Sequence, residues 1–95
     1  MVTPEKARLR WGCRRGMLEL DLILIPFFDQ YFDGLDTETQ QVLEQLLTHP
    51  DPDLFQWLMG YSVPTEGHLV ALVEMIRAKM SIPLPTSQER VSRTD

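Results

Sequence analysis

Thiol chemistry is nearly absent from this chain, which has a single cysteine, Cys13. A lone thiol closes no intramolecular disulfide and builds no Cys-based metal cluster, a usage that fits a reducing compartment. Histidine is equally scarce. His49 and His68 stand far apart, and neither has a carboxylate or cysteine at ligand spacing, so hydrolase and metal-site chemistry have little to stand on. His49, before Pro50, suits a helix end, and His68 falls in a first helical turn. The glycines Gly12, Gly16, Gly34, Gly60 and Gly67 are scattered rather than gathered into a phosphate-binding loop. Long apolar runs are missing too. The stretch Leu22 to Phe28 is broken by Pro26 and falls well short of the roughly 20 residues a membrane-spanning helix needs. No early apolar segment follows the N-terminal basic residues as in a signal peptide, so no membrane insertion is expected and cytoplasm is the expected location.

Basic residues vanish from the middle of the chain. Between Leu20 and Ile76 there is not one Lys or Arg, against ten Asp and Glu, whereas Lys6, Arg8, Arg10, Arg14 and Arg15 crowd the first fifteen positions. The net charge of −5 therefore hides a basic end on an acidic body, a segregation that suits an oriented contact with a partner. Nucleic acid is disfavoured as that partner, because the body is acidic and no basic recognition helix is present. At 95 residues the chain makes one domain. Such a domain buries roughly 60–65% of its unfolded surface, a thin core that leaves no room for a large substrate cavity. A binding module is the better expectation than an enzyme.

What is present is helical. Sustained polar/apolar alternation and hairpin turns are lacking. Thr3-Pro4-Glu5 reads as a cap, a first-turn proline and a first-turn acid, opening a short basic helix to about Trp11. From Gly16 to about Phe32 the chain is apolar on nearly every face, as in a buried central helix, with Pro26 expected to kink or split it. Asp36 is placed to cap a third helix bearing Val42, Leu43, Leu46 and Leu47 and ending near Thr48 before Pro50. Asp51-Pro52-Asp53 restarts a fourth, with Asp51 as cap, Leu54, Phe55, Trp57 and Leu58 toward the core, and Gly60 as its close. Thr65 is expected to cap a fifth, striped by Leu69, Leu72, Val73, Ile76 and Met80. The expected fold is all-α, a compact bundle of five short helices over residues 1–81, with 82–95 a disordered tail rich in Ser, Thr and Pro.

One constellation is not exhausted by fold requirements: Arg14-Arg15-Gly16-Met17-Leu18-Glu19. With Gly16 as N-cap, Glu19 falls at the third helical position of a capping box, but that explains neither arginine. As a working surface the whole group has a use. Gly16 leaves the backbone bare for close approach, Arg15 offers a planar fork of donors, and Glu19 supplies an acceptor one turn along.

These residues carry a family resemblance. Arg15-Gly16-Met17-Leu18-Glu19 resembles the R-G-x-x-E signature of the SdhE family, the FAD assembly factors of succinate dehydrogenase. Trp11, Cys13-Arg14-Arg15-Gly16, Glu19-Leu20-Asp21, Pro26-Phe27-Phe28 and Asp51-Pro52-Asp53-Leu54-Phe55-Gln56-Trp57-Leu58 also fall where bacterial members carry similar residues. The resemblance implies a cytoplasmic five-helix protein whose partner is the flavoprotein subunit of succinate dehydrogenase, or of fumarate reductase in some bacteria. It further implies that the partner makes its own bond between the flavin 8α-methyl group and a histidine. The factor then needs no catalytic residue and no permanently held cofactor, FAD being the group attached within the partner. The candidate partner-binding residues are Arg8, Trp11, Arg14, Arg15, Gly16 and Glu19. The alternatives are an antitoxin-like regulatory partner of a small membrane protein, which the same resemblance admits, a small acidic adaptor, and a DNA-binding helical domain.

Overall fold

The computed structural model describes residues 4–82. They form α1 (Pro4–Gly12), α2 (Leu18–Tyr31), a 3-10 turn (Phe32–Gly34), α3 (Thr37–Leu46), α4 (Asp51–Leu58) and α5 (Gly67–Lys79), with no strand among the described residues. The all-α expectation of five short helices holds. Thr3 and the expected tail from residue 83 onward lie outside the described residues.

The core is assembled from one stripe of each helix from α2 to α5. Leu20, Leu24, Phe27 and Phe28 of α2 meet Leu43 and Leu46 of α3, Leu54 and Leu58 of α4, and Leu69, Leu72, Val73 and Ile76 of α5, all buried. α2 packs on α4, and α5 packs on both α3 and α4. Pro26 does not split α2, which runs unbroken from Leu18 to Tyr31. The proline leaves the Leu22 carbonyl without its helical donor, but Leu22 is 63% exposed, so water can serve that carbonyl. That same exposure corrects the expectation that α2 is buried all round. Leu18 and Leu22, one turn apart on one face, are left in solvent.

α1 has no buried residue of its own. It is held by Lys6 to Asp33 and Arg10 to Asp29, both ion pairs at 2.7 Å, and by half-buried Leu9 against the core. The Arg10 fork takes both Asp29 oxygens and holds that carboxyl below its ordinary range. The basic end of the sequence is thus turned partly onto the acidic body of its own chain.

Helix ends follow local chemistry. Asp36 caps α3 as expected, accepting from the Thr39 N–H at 2.7 Å. α4 closes on Gly60, whose φ is +82°. The Tyr61 N–H reaches back to the Gln56 carbonyl at 2.9 Å and the Gly60 N–H to Trp57 at 3.1 Å, a Schellman arrangement. α5 ends the same way without glycine. Ser81 takes the left-handed conformation at φ 57°, and the Ile82 N–H bonds the Arg77 carbonyl at 2.9 Å. Ile82, the first residue of the expected tail, thus takes part in the helix cap. Two expected caps are displaced. Pro50, not Asp51, is the N-cap of α4, and Glu66, not Thr65, that of α5, with no side-chain bond at either. Asp51 is engaged elsewhere.

Candidate functional site

The junction of α1 and α2 is a tight reversal built from residues 13 to 17. Cys13 is 1% exposed and plugs the core directly after α1, its N–H bonded to the Leu9 carbonyl at 3.1 Å. Burial pushes its thiol up to about 12, so at neutral pH it is a protonated apolar filler rather than a nucleophile. The chain then emerges. Gly16 is exposed, adopts φ +83°, and has nothing within 4 Å of where a Cβ would sit. Glycine is required here by the backbone conformation, not by crowding. Met17, extended, is the N-cap of α2. Gly16 is therefore not the cap, and the capping box drawn from Gly16 to Glu19 is not formed. Glu19 sits exposed in the first turn without a side-chain capping bond, and among the described residues it carries no ion pair. Its charge favours the helix N-terminus and stays open to solvent.

Arg15 differs from the sequence expectation in an informative way. Its guanidinium turns inward: Nε donates to Asp51 Oδ1 at 2.7 Å, Nη1 to the carbonyls of Gly12 and Leu47 at 3.0 Å each, and Nη2 to the His49 carbonyl at 2.8 Å. Four of the five donors of the fork are used inside the chain. The side chain is 16% exposed. It ties α1, the α3–α4 link and α4 together at one point. Its backbone N–H is held in turn by Asp21 Oδ1 at 2.6 Å. Arg15 is thus a strut beneath the turn and not a fork held out to a partner.

The outward face is made by other residues. Trp11 is 71% exposed, with the Arg14 guanidinium over its ring at 5.8 Å from the centroid, a cation–π stack left in solvent. Leu18 and Leu22 extend apolar surface along α2. Arg8, one turn before Trp11 on α1, sits 3.8 Å from Glu44 in an exposed pair and lines a shallow hollow with Leu9, Gly12, Leu47 and Thr48. Trp11, Arg14, Gly16 and Glu19 are thus each exposed at or beside the α1–α2 junction, with Arg8 a turn earlier on α1. Sequence reading missed Asp21 and Asp51 as anchors and Leu18 and Leu22 as surface. Nothing periodic links position 15 to position 51. The apolar pair did have a signal, since a helix greasy on every side of so small a domain cannot hide all its faces.

His49 packs its ring edge-on to Trp57 at 5.0 Å between centroids, while His68 Nε2 lies 2.8 Å from Gln45 Oε1. Neither joins the junction. Among the described residues no three His, Cys, Asp or Glu side chains gather as metal ligands, and no helix is long and apolar enough to cross a membrane.

Fold and junction together define a small all-helical protein that displays a bare, prefolded turn flanked by aromatic, apolar and charged groups. The family described as the flavinator of succinate dehydrogenase matches residues 7–80. Among similar proteins, the FAD assembly factor SdhE of Colwellia psychrerythraea is 49% identical over 82 residues, covering 86% of this chain and 90% of the relative. The SdhE of Vibrio parahaemolyticus is 48% identical over 79 residues, covering 82% and 92%. That of Vibrio vulnificus reaches 56% over 60 residues, covering 63% and 70%. The chain belongs to the family of succinate dehydrogenase flavinators, as the R-G-x-x-E resemblance implied.

Proposed function

We propose that this protein binds the flavoprotein subunit of succinate dehydrogenase through its α1–α2 junction and promotes covalent attachment of FAD there, without catalysing the bond itself. The observation that carries the reading is the prefolded turn at Gly16, open on its outer side, in a member of this family. A bare backbone admits close approach of another surface. Trp11 and Arg14 are residue types enriched where partners dock. Glu19 adds an unpaired carboxylate for a donor on the partner.

Attachment of a flavin relies on the electronics of the flavin itself, so the protein's share is binding and orientation. A small rigid module serves that purpose by favouring one conformation of a larger partner over others. The flavoprotein of fumarate reductase, a related acceptor, is a second client in the same reading, with the cytoplasm as the place of action.

Mixing the purified protein with apo-flavoprotein subunit and FAD tests this. The expected result is co-elution with the subunit and faster appearance of flavin fluorescence on the denatured subunit band than without the protein. An attachment rate unchanged by a stoichiometric excess would overturn the reading.

A further inference from the structure

The open space around Gly16 poses a physical problem. Nothing beyond its chain neighbours lies within 4 Å of its Cβ position, and φ is +83°, so although Cys13 and Met17 anchor the two ends of the turn on the core, packing does not fix its apex. Polar bonds do. From the α2 side, the Asp21 carboxylate takes the Arg15 N–H at 2.6 Å. From the α4 side, Asp51 takes Arg15 Nε at 2.7 Å, while the Gly12, Leu47 and His49 carbonyls take the rest of the fork. One residue is thereby clamped at its backbone and at its side chain by two carboxylates from different helices.

We propose that Asp21 and Asp51 are positioning residues of the flavinylation function: they act through Arg15 to hold the Gly16 turn in its docking geometry before the partner arrives. This rests on the reading of the junction as the docking surface. A turn ordered in advance loses little freedom on binding, and a loose one must be ordered at the expense of affinity. Both carboxylates lie at the start of their helices, Asp51 first in α4 and Asp21 one turn into α2. There the helix dipole favours their charge, so the clamp is charge-assisted.

The test compares Asp21→Ala, Asp51→Ala and their Asn counterparts in the full chain, each assayed well below its melting temperature. Binding to apo-flavoprotein subunit is expected to weaken about tenfold in either Ala variant, the scale of one charge-assisted hydrogen bond. Amide exchange should accelerate at Arg15 and Gly16 while the core of α2 and α5 stays protected. At saturating concentration the FAD-attachment rate should return to that of the native protein, because the chemistry is untouched. Asn, which keeps an oxygen acceptor, should recover most of the affinity. Folded Ala variants that bind within about twofold of the native protein, a difference well under one hydrogen bond, would overturn the proposal. Where an Ala variant fails to fold, its Asn variant decides: faster exchange at the Arg15 amide with native affinity overturns it equally. Gly16→Arg run in parallel separates the two levels of failure. Native binding by Gly16→Arg removes the turn from the docking surface altogether. Loss of binding there, with native binding by the Asp variants, overturns only the positioning role.

Discussion

Arg15 shows how one side chain serves a surface from beneath it. Truncation to Ala removes the partner of a part-buried carboxylate and strands the carbonyls of Gly12, Leu47 and His49. The expected cost is about 2–3 kcal/mol, read as a drop in melting temperature of roughly 10 °C or more for a domain this small. Arg15→Lys should recover less than half, because an ammonium cannot reproduce a planar fork aimed in three directions. Urea unfolding followed by circular dichroism checks both, and an unchanged midpoint for Arg15→Ala would show that the strut holds nothing. Cys13 makes a second residue-scale prediction. Its folded pKa of about 12 lies above the ordinary value of 9.0, so the unfolded chain releases the proton first as pH rises. The stability owed to the buried neutral thiol is fully present below pH 9 and is lost progressively between about 9 and 12. The slope of stability against pH in that window should flatten in Cys13→Ala, whatever that variant's absolute stability. In the native protein at pH 8, alkylation of the thiol should proceed only as fast as unfolding exposes it.

Among the elements, α2 carries both core and surface. Leu20, Leu24, Phe27 and Phe28 are buried, whereas Leu18 and Leu22 are 67% and 63% exposed. Replacing Leu18 or Leu22 by Ser should change stability by no more than about 0.5 kcal/mol yet weaken binding to the flavoprotein subunit. Equal affinity in a Leu18→Ser, Leu22→Ser double variant would take this stripe out of the interface. The elements also mark what the sequence makes legible. The stripes of α3 and α5 were plain because apolar spacing of three and four residues is imposed by burial on one side. Asp36 and Gly60 were plain because caps act within a few residues of where they sit. Asp51 looks like a cap for the same reason, since a local rule cannot see that Arg15, 36 positions earlier, competes for the same carboxylate. For Gly16 the cap reading fails, since Met17 is the N-cap, whereas a bare backbone agrees with its positive φ and open surroundings at the apex of the turn. All-round apolarity of α2 says that the helix is central without saying which residues the thin core leaves uncovered.

For the whole molecule, the segregated charge has a use that the totals conceal. Part of the basic end is spent internally, with Lys6, Arg10 and Arg15 engaging Asp33, Asp29 and Asp51. Arg14, stacked on Trp11, is exposed near Gly16 and Glu19 in the chain, and Arg8 is exposed a turn earlier on α1. The acidic body thus anchors the basic helix, and a limited set of groups at the junction is left facing outward. In the proposed function the flavoprotein meets this outward face of the junction. Gly16 tests it most directly, because two substitutions share one strain and differ in bulk. Any side chain at φ +83° costs about 1–2 kcal/mol, and no neighbour obstructs it. Gly16→Ala and Gly16→Arg should therefore melt within a few degrees of each other. In a single assay of apo-flavoprotein subunit with FAD, covalent flavin fluorescence should remain substantial with Gly16→Ala and disappear with Gly16→Arg. Full flavinylation by a folded Gly16→Arg would contradict the assignment of this face, and equal loss in both variants, tracking their melting, would reduce the turn to a structural element.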